Sequence, residues 1–347
     1  MFSLLRPLLF HLDPEVSHDL SIAALGCYGR GPGIIRAHTG PGVAGQPIEL
    51  MGLKFPNRLG LAAGLDKDAQ AVEGLARLGF GFVEVGTVTP KAQPGNDKPR
   101  LFRLAEHQAI INRMGFNNHG VVAMARRLEA VRRRNRLGGT LVGVNVGKNK
   151  DTPLETAVSD YTRCMEVVYP LADYLTINLS SPNTPGLRQL QSGDDLERVL
   201  GGVATSREQL SVQHSRRIPL LVKVAPDLHA DDVVEVARAI KIHGIDGVIA
   251  TNTTLSREGL GDSPVAAQAG GLSGAPLTSL ARQKVAEFRQ ALGAQVPLIG
   301  VGGIVDVASG EAMFAAGADL VQIYSGFIYQ GPALIRGLVA GGQRHRG

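Results

Sequence analysis

Eight short apolar runs, most of them closed by glycine, asparagine, serine or threonine, recur along this chain with helical spacing between them. They lie at 59–63, 82–88, 141–146, 174–179, 220–224, 247–250, 298–301 and 320–324, and helical patterns stand for example at 69–78, 154–169, 230–243, 277–292 and 307–316. Continuous apolar strands alternating with helices are what a parallel sheet requires, because each crossover helix covers a face of the sheet. A count of eight predicts an α/β fold closed as a (β/α)8 TIM barrel. A doubly wound open sheet is the alternative, and it needs a dinucleotide fingerprint that LGLAAGLDKD does not supply.

Two segments depart from the repeat. Residues 89–139, between the second and third strands, are too long for a plain βα unit. This β2-α2 excursion contains RLFRL and AIINR, which read as a small hairpin arm, and then MGFNNHG. A long excursion at the functional end of a barrel walls or covers a site. The N-terminus predicts two helices, one over 2–10 and one starting near Pro14, with Leu4, Leu5, Leu8, Leu9 and Leu12 on an apolar face. That face either packs on the body or lies in a membrane interface. Arg6, Pro7, His11, Asp13, Pro14 and Glu15 interrupt it, so no run approaches the ~20 apolar residues of a membrane-spanning helix. The expected division is a helical extension at 1–40, the barrel at 41–340 and a flexible tail at 341–347.

Charge and cysteine content exclude several functions. The net charge of +5 equals that of 126–136 alone, where six arginines face one glutamate. This segment reads first as a solvated helix face and second as a contact for anionic lipid. No recognition motif accompanies it, so a nucleic-acid partner is not expected. Two cysteines, Cys27 and Cys164, without a CxxC or His/Cys cluster suggest neither disulfides nor a zinc site.

In such a barrel the polar residues at the strand C-termini converge on one mouth. Those residues are Ala63, Gly64, Asp66 and Lys67; Thr87; Asn112, Gly115, Phe116 and Asn117 of the excursion; and Asn145. Then come Asn178, Ser181 and Asn183; Lys223; Thr251, Asn252 and Thr253; Gly300, Gly302 and Gly303; and Tyr324, Ser325 and Gly326. No catalytic carboxylate pair and no metal-ligand spacing stands among them, which disfavours glycoside or metal-assisted hydrolysis. Asp66 beside Lys67 reads as a local ion pair. GVGGI and YSG follow the last two strands, where barrels bind phosphate through backbone N–H groups. Asparagines with Lys67 and Lys223 make a donor-rich, cationic bowl suited to an anion with several carbonyl or amide edges.

The motifs LFHLDPEVSHDL, AAGLDKD, EVGTVTPKAQPGN, INRMGFNNHG, VNVGKNKDT, INLSSPNTPGLR, LVKVAPD, ATNTT, GGLSG, GVGGI and QIYSGFIYQGP, in this order, resemble dihydroorotate dehydrogenase of the quinone-linked, membrane-associated class over nearly the whole chain. The resemblance implies a barrel that carries one FMN, oxidises dihydroorotate to orotate in pyrimidine synthesis and passes electrons to a quinone. It places FMN against Ala63, Gly64, Thr87, Asn145, Asn178, Lys223, Thr251, Gly274, Gly303, Tyr324 and Ser325. Substrate would meet Lys67, Asn112, Arg113, Met114, Gly115, Phe116, Asn178, Asn183, Asn252 and Thr253. Ser181 matches the base that takes a proton from C5 while a hydride leaves C6 for the flavin, and Thr184 is the expected relay. Lys223 would stabilise the reduced flavin and Lys67 the substrate carboxylate.

The resemblance also implies a class, because the soluble classes carry cysteine at the position of Ser181 and lack the N-terminal extension. In the quinone-linked class that extension meets the membrane and forms a quinone tunnel, with His18, Arg103 and Tyr324 at the lining positions. The expected location is the cytoplasmic face of the cell membrane, peripherally bound. The rivals are a soluble dehydrogenase using fumarate or NAD, a flavin-free phosphate-binding lyase or isomerase barrel, and a membrane-surface binding module.

Overall fold

The computed structural model describes residues 2–31, 45–261 and 263–341. All eight predicted strands form, as Leu59–Leu61, Phe82–Val88, Leu141–Val146, Tyr174–Asn178, Leu220–Val224, Gly247–Ala250, Leu298–Val301 and Leu320–Ile323. They close into a barrel in which each strand pairs in parallel with its neighbours in the sequence, the eighth returning to the first. The first, fourth and eighth strands end a residue or two before the apolar run does. The released residues, such as Ala63, Leu179 and Tyr324, turn into the loops of the mouth.

The barrel wall carries two apolar layers. Outside it, residues such as Val83, Val142, Leu175, Val222 and Val248 meet the helices. Inside it, Phe82, Tyr174, Leu221, Ile249, Ile299 and Leu320 fill one end. Strands buried on both faces explain why the sequence reads as unbroken apolar runs rather than alternation. A hairpin of Ile48–Leu50 and Leu53–Phe55 plugs that end, with Phe55 edge-on to Phe82 at 5.3 Å. Three-residue strands gave no periodic signal, and the hairpin is absent from the sequence reading.

Helix Val121–Arg134 shows how the outer ring is built. Val121, Met124, Ala125, Leu128 and Val131 share its buried stripe, and Asn135 ends it in the left-handed conformation, φ 48°. The six arginines of 126–136 form the expected solvated face, with Arg126, Arg133, Arg134 and Arg136 exposed, and three of the six also reach acids. Arg132 pairs with Asp173 at 2.9 Å and Arg134 with Glu73 at 2.8 Å, while Arg127 stands 3.8 Å from Asp68. Acids distant in sequence supply these partners, which adjacency in the chain does not reveal. The pattern at 69–78 gives a shorter helix, Val72–Arg77, because Ala69 takes φ 58°. Asp66 then accepts from the N–H groups of Gln70 and Ala71 at 2.7 and 2.8 Å. This corrects the Asp66–Lys67 ion pair, since that carboxylate is occupied as a backbone cap.

The excursion forms the expected hairpin, Leu101–Leu104 with Ala109–Asn112, and gains a third strand, Gly271–Gly274, antiparallel to Ala109–Asn112. The arm is thereby tied to the loop after the sixth barrel strand. At the N-terminus, helices Phe2–His11 and Pro14–Arg30 lie against this arm and the barrel, the second capped by Asp13. Glu15 and Arg100 form a buried pair at 2.6 Å. Arg103 donates to the carbonyls of Leu9 and Leu12 and lies 4.7 Å over the Phe10 ring. Leu5, Leu8, Leu12, Val16 and Leu20 stay exposed, and the side chain of Leu4 lies outside the described residues. Residues 32–40 of the expected extension and 342–347 of the expected tail also lie outside them. Among the described residues no helix is long and apolar enough to cross a membrane.

Candidate active site

The strand ends, the arm and the loop after the sixth strand enclose a cavity of about 1020 Å³, including its part open to solvent. Of the residues expected to bind or react, its lining includes Ala63, Gly64, Lys67, Thr87, Asn112, Met114, Gly115, Phe116, Asn178, Ser181, Asn183 and Lys223. It further includes Thr251, Asn252, Thr253, Gly274, Gly303, Tyr324 and Ser325. Five expected residues stand elsewhere. Asn145 is fully buried behind the wall, and Thr184 is buried in the loop beside it. Arg113 turns away to Gln268 Oε1 at 2.9 Å and over the Phe102 ring. His18 and Arg103 belong to the contact between the N-terminal helices and the arm and barrel.

The amides of the floor form a connected network. Asn178 Nδ2 donates to Thr87 Oγ1 at 3.0 Å and to Asn145 Oδ1 at 3.1 Å. Asn252 Nδ2 donates to Ser180 Oγ at 2.9 Å, and Asn183 Nδ2 donates to Asn112 Oδ1 at 3.2 Å. The last bond joins the loop after the fourth strand to the arm, so both walls of the cavity are held at a set distance. Asn96 adds to this, donating to the carbonyls of Arg113 at 3.0 Å and Asn183 at 3.2 Å. Asn183 N–H donates to Ser181 Oγ at 3.2 Å, which favours negative charge developing on that oxygen.

Two cations reach the same space. Lys67 is held down to about 8 by burial, with Glu15 opposing that shift. Burial likewise lowers Lys223, with Glu84 opposing. His18 falls to about 3, through burial first and the Lys67 charge second, so its imidazole is neutral at pH 7. Burial pushes the Tyr324 phenol up to about 12.

Several lining residues were missed from the sequence, Ser273, Leu277 and Gln322 among them. Ser273 comes from the glycine-rich third strand and bonds Ser325 Oγ at 2.8 Å. Gln322 is an inward side chain of an apolar strand, and its one signal was a lone amide in LVQI. Among the described residues no cluster of His, Cys, Asp and Glu could hold a metal ion.

Gly64, Gly274 and Gly303 line the cavity with backbone bare of side chain, as a phosphate cradle requires, and the chain's own packing holds the last two positions to glycine. A Cβ on Gly303 would stand 2.2 Å from Thr278 Cα, and one on Gly274 2.1 Å from the Gln108 carbonyl oxygen, each at positive φ. Thr253 Oγ1 and Gln322 Oε1 are buried without a partner, two polar atoms that a bound polar ring would satisfy. The residues present therefore fit FMN.

A closed (β/α)8 barrel with an amide-lined, doubly cationic cavity at its strand C-termini defines a small-molecule enzyme. The family model for dihydroorotate dehydrogenase matches residues 47–341. A protein of Delftia acidovorans named dihydroorotate dehydrogenase (quinone) is 51% identical over 334 residues, 96% of this chain and 95% of that one. Its namesake in Alkalilimnicola ehrlichii is 52% identical over 339 residues, 98% of both chains. The ligand-free DHODH of Eimeria tenella superposes with a TM-score of 0.86 at 39% identity, covering 95% of this chain and 94% of that one. The same enzyme in complex with ferulenol gives 0.84 at 38% identity, covering 95% and 90%. The chain belongs to the dihydroorotate dehydrogenase family of oxidoreductases.

Proposed function

We propose that this chain oxidises dihydroorotate to orotate, a step of pyrimidine synthesis, with FMN as its resident flavin and a membrane quinone as acceptor. The observation that carries this reading is one cavity in which Ser181, the amides of Asn112, Asn178, Asn183 and Asn252, and the ammonium of Lys67 converge. FMN, when bound, accepts the hydride and gives up electrons to the acceptor. Ala63, Gly64, Thr87, Asn178, Lys223, Thr251, Gly274, Gly303, Tyr324 and Ser325 would hold it, with Asn145 acting from behind the wall. Lys67 pairs with the substrate carboxylate, and the asparagines read the carbonyl and N–H edges of its ring.

Ser181 removes the proton at C5. A serine hydroxyl is a weak base and burial opposes its alkoxide, so Ser181 gives up its own proton as it takes that of C5, and the donation from Asn183 N–H supports the negative charge that develops between the two transfers. Thr184, three residues on and buried in the same loop, carries the proton outward. Thr184→Ala is expected to slow flavin reduction by about tenfold or more and to leave orotate affinity within about twofold. Stopped-flow flavin bleaching checks it, and an unchanged rate removes Thr184 from the path.

The acceptor side rests on the N-terminal helices. Neutral His18 can donate to a quinone carbonyl, and Arg103 and Tyr324 complete the proposed tunnel lining. The exposed Leu5, Leu8, Leu12, Val16 and Leu20 suit a peripheral membrane contact, here placed on the cytoplasmic face. Residues 1–40 are the proposed membrane and quinone unit and 41–340 the catalytic barrel. Dihydroorotate should bleach the purified yellow protein anaerobically, and a quinone should restore its colour. Recovery with fumarate or NAD and none with a quinone would assign a soluble class. A colourless protein would leave the flavin-free barrel.

Lys67 gives a pH dependence. Its ammonium is lost as pH rises through about 8, so carboxylate binding is full below that pH and declines above it. The KM for dihydroorotate should be flat from pH 6 to 7 and rise by about tenfold per unit well above pH 8. A flat KM to pH 9.5 would assign the carboxylate to another group.

A further inference from the structure

Behind the floor of the cavity, in the interior of the barrel, Glu84 of the second strand is fully buried and outside every role assigned above. Four donors from three other strands meet it. Asn145 Nδ2 donates to Oε1 at 2.8 Å; Gln322 Nε2, the Tyr174 hydroxyl and the Thr176 hydroxyl donate to Oε2 at 2.9, 3.2 and 3.3 Å. Burial and the Glu84 charge push the Tyr174 phenol well up, so it stays a donor. Apart from Lys223, one layer nearer the mouth, no charged side chain faces Glu84 from these strands.

An amide side chain can flip end for end with little change of shape, and only its neighbours' hydrogen-bonding sense selects one orientation. A carboxylate accepts only. Asn145 must therefore turn its NH2 to Glu84 and its Oδ1 to Thr87 Oγ1 and Asn178 Nδ2, at 2.5 and 3.1 Å. Asn178 then turns its Oδ1 to Ser180 N–H at 3.1 Å and to Asn252 Nδ2 at 3.4 Å. Asn178 and Asn252 each accept from a backbone N–H, that of Ser180 at 3.1 Å and that of Thr253 at 2.8 Å, so Asn145 is the link that must match a fixed donor on one side and the acceptor-only Glu84 on the other.

We propose that Glu84 is a positioning residue: an acceptor-only anchor that holds the Asn145 amide in the sense that Thr87 and Asn178 require and supplies the counter-charge of Lys223. Without it, the ammonium of Lys223 would be buried with no opposing charge in reach, an arrangement costlier than having neither charge. The inference deepens the reading of this cavity as an FMN site and rests on it.

The test compares Glu84→Gln, Asn145→Asp and the double variant by the FMN released from the holoenzyme on dilution, read by flavin fluorescence. Glu84→Gln keeps the shape and removes the charge. Asn145→Asp sets two acceptors against each other. The double variant restores a donor–acceptor pair with its sense reversed and returns the negative charge to the interior. Each single variant should bind FMN about tenfold more weakly or worse, and the double variant should recover to within about threefold of the parent. Glu84→Gln binding FMN within about twofold of the parent would reduce Glu84 to a space-filling role. Additive losses in the double variant would overturn the orienting role. If a single variant yields no folded protein, recovery of folded, yellow protein in the double variant reads the same coupling, and its failure to recover overturns the proposal. A parent chain that holds no FMN at all would instead refute the functional reading on which this one stands.

Discussion

Ser181→Ala is expected to reduce its flavin with dihydroorotate about 10²- to 10⁴-fold more slowly than the parent, the usual worth of a positioned general base. Binding should change far less. Ser181 is 6% exposed, and the one hydrogen bond recorded for its hydroxyl is that received from Asn183 N–H, so truncation removes a single neutral acceptor. Such a bond is worth about 1 kcal/mol, or about fivefold in orotate affinity. The gap between these magnitudes separates a base from a binding group. Stopped-flow reduction paired with orotate titration reads both, and a variant turning over at the parental rate would unseat Ser181. Cysteine at this position should restore part of the rate, because a thiolate forms more readily than an alkoxide.

Deleting residues 1–36 should leave flavin reduction by dihydroorotate in place and abolish quinone reduction. The barrel closes without the segment, since all eight strands and the inner apolar layer lie beyond residue 47, and the outer layer takes only Ile22, with Leu25 packed against it, from the deleted residues. What the deletion removes is local. Arg100 loses Glu15 yet keeps the carbonyls of Pro94 and Asn96 at 2.6 and 2.8 Å. Arg103 loses its carbonyl partners, and His18 leaves the vicinity of Lys67. Two charge effects on Lys67 go with it. Glu15 is the larger opposing influence on that ammonium, so Glu15→Gln in the undeleted chain, which keeps the burial that lowers Lys67 most, should move the KM inflection near pH 8 to lower pH. Quinone reduction retained at the parental rate would place the acceptor site elsewhere. An inflection that stays where it was would deny Glu15 its influence on Lys67.

The sequence carried the barrel because strands buried on both faces leave unbroken apolar runs, and eight such runs have few ways to close. It carried most of the mouth for a related reason. Each strand ends where polar and glycine residues begin, so the residues at 63–67, 178–183 and 251–253 could be read as neighbours before any contact was known. Glycine-rich 271–274 was legible as a motif and not as a strand, because four residues with two glycines have no periodicity and their partner lies at 109–112. Asp66 looked like the partner of Lys67 because they are adjacent. Whether a carboxylate meets an ammonium or backbone N–H groups is set by the turn that brings Gln70 and Ala71 back to Asp66, which adjacency does not reveal.

What the sequence by itself determined is therefore the set of chemical groups at the strand ends and the fold that brings those ends together. Both follow from periodicity and composition, which are local properties. Only the tertiary structure decided which of those groups face the cavity, placing Asn145 behind it and turning Arg113 away. It alone showed that a carboxylate at position 84 meets donors from positions 145, 174, 176 and 322. The physical reason is that hydrogen-bond direction and charge pairing in a closed barrel are set between strands far apart in the chain. A residue's partner there is chosen by register and by closure of the barrel rather than by its neighbours in sequence.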